Sequence, residues 1–410
     1  MKLVLKKHLL FTSLLIIFLF GGGSTSAQID SLTHLLPSLN EDSSKVNTLN
    51  HLASLLIPKY NHQAESFLQE AIVLADKISF LKGKGKALTH LATVYQNKNQ
   101  YQKAQDTYLE VLVLTEESAD EETRAIALNG LGATYHLFGN YQKALATYLE
   151  AFELSELIGN QGVAATSLRN IASIYQEDKP YDKAYENYNL ALKIREKRGE
   201  EKEIASLYNS IGEVYAIQKK YDLAINTIQK SLTLYKKNLD KRGQAITSMA
   251  LGALYLEAKQ YNVAYAYYSK AKDILNLLNY KVELYTCLNQ IGKIYTQLGQ
   301  YKEAVIFHRQ ALSIAQKIGA KQGIKQIHQG LAVAYKANGE FPQAIEHLEI
   351  YNQLQEELHN EGRISKMEEM ITRFEVGETE KELEIKNLAL KKQSIEKEKK
   401  DLQITLLIFG

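Results

Sequence analysis

A strict period of 40 residues constrains this chain more than any other feature. Tyr95, Tyr135, Tyr175, Tyr215, Tyr255, Tyr295 and Tyr335 share one phase, and Tyr101, Tyr141, Tyr181, Tyr221, Tyr261, Tyr301 and Phe341 a second. A third runs Ala64, Ala104, Ala144, Ala184, Ala224, Ala264, Ala304 and Ala344. Together they define eight units, the first degenerate, with no insertion or deletion between them. Such a period means a stack of small supersecondary units or the blades of a propeller. Local spacing separates the two. Leu128, Gly132 and Tyr135 fall at i, i+4, i+7; Tyr141, Ala144, Tyr148 and Ala151 fall at i, i+3, i+7, i+10. Each set is a single stripe on a helix, and the period-2 alternation of a propeller blade is missing. The expected fold is all-α, about eight helix pairs over 41–360, with a turn such as Phe138-Gly139-Asn140 inside each unit. A second turn, near Gly159-Asn160, Gly199-Glu200 and Gly319-Ala320, closes it.

Small residues recur where two helices must approach. Gly132, Gly212, Gly252 and Gly292 alternate with Ala92, Ala172 and Ala332 in one phase of the first helix, and the Ala144 phase does the same on the second. Seventeen of the 26 tyrosines fall in three repeat phases, the third being Tyr108, Tyr148, Tyr188 and Tyr268. That distribution marks them as packing between neighbouring pairs rather than as a stacking surface for nucleic acid.

The order Leu128, Leu131-Gly132, Tyr135, Tyr141, Ala144, Tyr148, Ala151 resembles the tetratricopeptide repeat, and eight in-phase copies over about 41–360 carry the likeness. The unit departs from the usual length of about 34 residues, so both helices are expected to be longer. Glu156 stands where the family usually has a late proline. The resemblance implies a right-handed superhelix whose first helices line a concave groove that binds peptides or partner proteins.

Composition narrows the function. The formal net charge of +2 lacks the basic excess of a general nucleic-acid binder. One cysteine, Cys287, excludes a disulfide framework and a cysteine-cluster zinc site within the chain. No motif for zinc hydrolysis, nucleotide phosphate binding or serine catalysis is present, so no catalytic residue, cofactor or metal is expected. Lys82-Gly83-Lys84-Gly85-Lys86 has a faint likeness to a phosphate loop but reads as an inter-repeat turn. Cys287 reads as a small packed residue, and His308, which replaces a core tyrosine of the repeat, as a packed or capped side chain.

If the family geometry holds, the groove carries His90, Gln96, Asn129, His136, Arg169, Asn170, Gln176, Asn209, Asn289, Gln290, Gln329 and Lys336. Amides both donate and accept, so a column of them suits a peptide backbone. The alternative is a set of ordinary solvated helix positions. Arg169, Lys293 and Lys336 are too scattered for a Lys/Asn/Arg carboxylate clamp.

The two ends carry an address and a lever. Lys2, Lys6 and Lys7 precede an apolar run from Leu9 to Phe20, and Thr25 and Ala27 supply small residues for cleavage before Gln28; residues 1–27 read as a signal peptide. Its removal takes three lysines and leaves a net charge of −1. Residues 28–40 read as a linker. Residues 363–401 hold ten basic and ten acidic side chains in a heptad frame. Its apolar seam is Ile364, Met367, Ile371, Phe374, Ile385, Leu388, Ile395 and Leu402, which suits a parallel coiled coil and a homodimer; a solvated helix folded on the array is the alternative. Residues 402–410 read as the first turns of a transmembrane helix. This layout is similar to the periplasmic sensor half of bacterial membrane histidine kinases with tetratricopeptide domains, or to the input domain of a membrane-linked transcriptional regulator. A free periplasmic scaffold is the other class of reading. The expected partners are a protein or peptide and the membrane, not nucleic acid.

Overall fold

Every turn of the array from 79 to 339 is made the same way. In the computed structural model, which describes residues 25–57 and 60–360, one residue with positive φ stands at 79, 99, 119, 139 and every twentieth position onward to 339. Six of these are glycine, such as Gly139 at φ 70° and Gly199 at φ 69°; eight are not, among them Asn99 at 58° and Leu239 at 55°. Around each such residue except Lys179, which precedes Pro180 with no amide to donate, the backbone closes on itself. Gly139 N donates to His136 O at 2.8 Å and Asn140 N to Tyr135 O at 2.8 Å, the pattern that satisfies the last carbonyls of a helix. The next residue then starts a new helix. Asn140, Asn160 and Asp240 cap theirs by accepting from the backbone amides of Lys143, Val163 and Gly243 at 3.2, 3.1 and 2.9 Å.

The first helices are Ser43–Leu56, Leu81–Asn97, Glu121–Leu137, Gln161–Glu177, Glu201–Ile217, Lys241–Glu257, Lys281–Gln297 and Lys321–Ala337. The second helices are Asn61–Lys77, Tyr101–Ser118, Tyr141–Leu157, Tyr181–Arg198, Tyr221–Lys237, Tyr261–Leu277 and Tyr301–Lys317, with a further one from 341 to 360. Most are 17 residues long, so both members of the pair are extended alike, as the 40-residue unit implies. Every regular element among the described residues is helical, and none is long and apolar enough to cross a membrane. The proposed signal segment up to 24, the seam residues 364–402 and the apolar run 402–410 lie outside the described residues.

The chain divides into two compact units between Leu234 and Tyr235. In the first, the first helices at 43–56, 81–97, 121–137 and 161–177 pack consecutively on one another, while the second helices pack between first helices. In the second, the first helices at 241–257, 281–297 and 321–337 do the same. First helices are thereby drawn closer together than second helices, which puts their free face on the inside of each unit's curve.

The core follows the small residues. A Cβ added to Gly132 would lie 2.7 Å from Tyr148 Cδ1, to Gly252 2.8 Å from Tyr268 Cδ2, and to Gly212 2.3 Å from Ile228 Cγ1. These glycines are what let the second-helix side chain lie flat on the first helix. Tyr108, Tyr148, Tyr188 and Tyr268 are fully buried there. The two larger tyrosine phases are mostly half-buried; Tyr141 and Phe341 are exposed. The smallest tyrosine phase is therefore the one that forms the core. Some outer rings carry a lysine instead, with Lys103, Lys143 and Lys183 standing 5.8, 5.6 and 5.3 Å from the rings of Tyr95, Tyr135 and Tyr175.

Two local readings change. Lys82 to Lys86 is not a turn but the opening of the helix Leu81–Asn97, with Gly83 and Gly85 buried against Phe80, Val46, Thr123 and Leu114; the turn itself is made just before, at Ser79. Residues 28–40 are more than a connection. They continue a helix, Thr25–Leu35, into a short 3-10 turn, Leu36–Ser38, and bury Leu32 and Leu36 on the first helix pair.

Candidate functional site

The inner face of each unit is lined by the ninth, tenth, thirteenth and sixteenth residues of its first helices. At the ninth position Asn129 and Asn289 turn inward toward neighbouring helices, whereas Arg169 and Gln329 stay exposed. Asn129 is buried, donating from Nδ2 to Ser167 Oγ at 2.8 Å, while its Oδ1 accepts from Asn170 Nδ2 at 3.4 Å. Asn289 is also buried and accepts from His308. Asn129 thus binds one repeat to the next, and Asn289 binds the two helices of its own repeat. Gln96 is engaged similarly, donating to Gly130 O at 3.0 Å and Thr134 Oγ1 at 2.8 Å and accepting from Tyr108 Oη at 3.2 Å. Gln176 Oε1 accepts from Tyr188 Oη at 3.0 Å. His136 Nε2 lies 3.0 Å from Glu177 Oε1 of the next first helix. His90, Asn209 and Gln290 are half-buried, whereas Arg169, Gln329 and Lys336 are exposed. The predicted groove thus sorts into an inner set that ties repeats together and an outer set that faces solvent.

Electrostatics follow this enclosure. Burial, with help from the Lys86 and His51 charges, lowers the pKa of His90. Loss of solvent holds the Glu213 carboxyl above the usual range, opposed by a hydrogen bond from Gln176. The Tyr108 hydroxyl is pushed up to about 12 by burial.

One indentation lies in the second unit. It is a pocket of about 350 Å³ between the helices Lys241–Glu257, Lys281–Gln297 and Lys321–Ala337, with His308 at its floor. Gln329 is the one predicted groove residue that lines it; Leu256, Lys293, Thr296 and Val333 also contribute. The sequence signal was the break in the tyrosine phase at His308, there read only as packing. The ring is indeed fully buried, with Nδ1 donating to Asn289 Oδ1 at 2.7 Å. Its other nitrogen, Nε2, has no protein partner. Burial, and secondarily the Lys293 charge, lowers the pKa of this imidazole to about 4, so it is neutral at pH 7.

Cys287 is buried, its Sγ donating to Tyr268 O at 3.1 Å, and burial raises its thiol to about 12. A thiol so protonated is a packing group, not a nucleophile. Among the described residues no three or more His, Cys, Asp or Glu stand together as a metal site.

The tetratricopeptide repeat family profile matches residues 84–156, 163–237, 203–277, 243–317 and 283–351. The chain belongs to the tetratricopeptide repeat family. Solved structures share the fold at low identity. A signal transduction ATPase with numerous domains and a tetratricopeptide repeat sensor, from Pyrococcus horikoshii, aligns with a TM-score of 0.63 at 17% identity, over 84% of this chain and 55% of that one. The apo quorum sensor NprR from B. thuringiensis aligns with 0.61 at 15%, over 80% and 98%. A Rap protein complexed with Competence and Sporulation Factor aligns with 0.53 at 14%, over 78% and 99%. No curated protein matches this chain.

Proposed function

We propose that this tetratricopeptide array is a non-catalytic module that binds a peptide or protein segment on the inner face of its first helices. The carrying observation is the division of labour on that face. Inner amides such as Asn129 and Gln96 hold the repeats of the first unit in register, while Arg169 in that unit and Gln329 and Lys336 in the second are presented to solvent. A helical backbone already fixed in this way loses little entropy on binding. The likeness to a quorum sensor and to a Rap protein complexed with a signalling factor supports the same reading. Peptides selected from a random display library on the full chain test it by calorimetric titration. Arg169→Glu with Lys336→Glu should weaken them roughly tenfold or more, whereas Lys193→Glu on a second helix should leave them unchanged. Equal binding to all three proteins removes the site from the inner face.

We further propose that the module is exported and acts as the input domain of a membrane signalling protein, of the sensor histidine kinase type. A membrane-linked transcriptional regulator, or a free periplasmic scaffold, would use the same face. The supporting features are the lysine-led apolar run Leu9–Phe20, the charged heptads of 363–401 and the apolar residues 404–409. Alkaline phosphatase fused after residue 360 should be active in cells; a fusion active only as a cytoplasmic reporter excludes export.

A further inference from the structure

The pocket above His308 has a counterpart in other repeats, and there it is filled from within. In the fourth repeat the Tyr188 hydroxyl donates to Gln176 Oε1 at 3.0 Å and is hydrogen-bonded by Ser173 and Ser210 as well. In the second repeat the Tyr108 hydroxyl meets Thr93 Oγ1 at 3.1 Å and donates to Gln96 Oε1 at 3.2 Å. Moving these positions forward by whole repeats gives Lys293, Thr296 and Gly330 around His308. Those same three residues line the pocket. The ring itself sits as the tyrosines sit. A Cβ on Gly292 would lie 2.7 Å from its Cε1 and one on Gly330 2.5 Å, just as Gly132 underlies Tyr148 and Gly130 meets Tyr108. Histidine is shorter than tyrosine by the length of the hydroxyl-bearing edge, so the end of the phenol is missing here; it is missing too at Leu68 and Ile228 of the same phase, but only His308 puts a polar ring nitrogen in its place.

What stands in that place has a definite chemistry. His308 donates from Nδ1 to Asn289, which leaves Nε2 as a lone-pair acceptor, buried and without a protein partner. Such a group calls for a donor. Lys293 supplies a cation beside it, able only to donate. Leu256, Val333 and Gly330 give apolar walls. An acceptor and a donor at the end of an apolar slot match a hydroxyl on a flat apolar body.

We infer that the His308 pocket receives the tyrosine side chain of a bound peptide, whose phenol O–H donates to Nε2 and accepts from Lys293. This rests on the inner-face reading above and names its anchor. Nε2 is covered in the free chain, so a ligand that reaches it must displace side chains lining the pocket.

The test uses the full chain with 15N-labelled histidine and p-cresol, the tyrosine side chain alone, as probe. Binding in the millimolar range is expected, with a shift of the His308 Nε2 resonance. His308→Tyr, which restores the residue found at 108, 148, 188 and 268, should fold with an equal or higher melting midpoint and abolish p-cresol binding; Val333→Phe at the rim is a second block. No Nε2 shift with p-cresol, or an equal shift with toluene, overturns the assignment. Library-selected peptides give the other arm. Tyrosine should be enriched in them, and His308→Tyr should weaken them roughly tenfold or more. Selected peptides that bind wild type and His308→Tyr equally, yet are lost in Arg169→Glu with Lys336→Glu, overturn the pocket and leave the inner-face reading standing.

Discussion

The fourth and seventh repeats share a backbone plan and differ at one buried ring. In the fourth, Tyr188 closes the core and reaches the inner face, where its hydroxyl ends on Gln176. In the seventh, His308 closes the core equally well but bonds sideways to Asn289 and stops short. The first arrangement seals the surface; the second leaves an indentation and an uncommitted nitrogen. A repeat array can thus place a specific site by changing a single core residue, because small residues flank the ring in both repeats, Ala172 and Ser210 in the fourth and Gly292 and Gly330 in the seventh.

The largest expected departure between the two comes from acid. The pKa of His308 in the folded chain is lowered from 6.5 to about 4. The unfolded chain therefore binds the proton more readily, and this histidine's contribution to stability is complete above about 6.5 and lost as pH falls toward 4. Chemical unfolding should show the stability advantage of His308→Tyr over wild type growing by up to about 3 kcal/mol across that interval. His328 and His347, whose Nδ1 atoms are 3.0 Å apart, are shifted in the same direction chiefly by burial, with Glu346 opposing, and form a background common to both proteins. A constant difference from pH 7 to 4 would show that His308 is not a buried neutral base.

A smaller change should convert one repeat into the other. Tyr188→His removes the hydroxyl from Gln176 and opens a void, at a cost of about 2 kcal/mol in unfolding free energy. The same variant should acquire a weak site for p-cresol in the first unit. A variant as stable as wild type, with no such site, would mean that the surroundings of Tyr188 collapse onto the shorter ring.

Much of this architecture was legible in the residues. Equal spacing of Tyr95, Ala104 and their copies made the helix pairs unavoidable, since only one helical stripe per segment could be buried. The Gly132 phase named the close approach correctly. The binding face was less legible. Asn129 and Asn289 read as groove amides because polar residues share their phase, yet each leans into a neighbouring helix and finds a partner there, while Arg169 and Gln329 of the same phase stay exposed. The missing ring at His308 was visible as a break in pattern, but its consequence depended on Lys293, Thr296 and Gly330, which come from other helices and converge only in space. Lys82–Lys86 misled for a simpler reason: glycines beside lysines suggest a turn, whereas here Gly83 makes room for Phe80 and Val46 at the start of a helix.

The left-handed residues at every twentieth position have a consequence for how such a chain can grow. Any two equivalent joints, such as those at Asn99 and Gly139, begin and end in the same backbone conformation. A 40-residue cassette excised or duplicated between them would rejoin without a new kind of junction, and each copy would meet the neighbours it was built for. Array length is then an open variable under recombination, and a cassette carrying His308 could be set at a chosen distance along the stack. Leu239, which holds this conformation without being glycine, shows that the joint persists even where its own residue disfavours it.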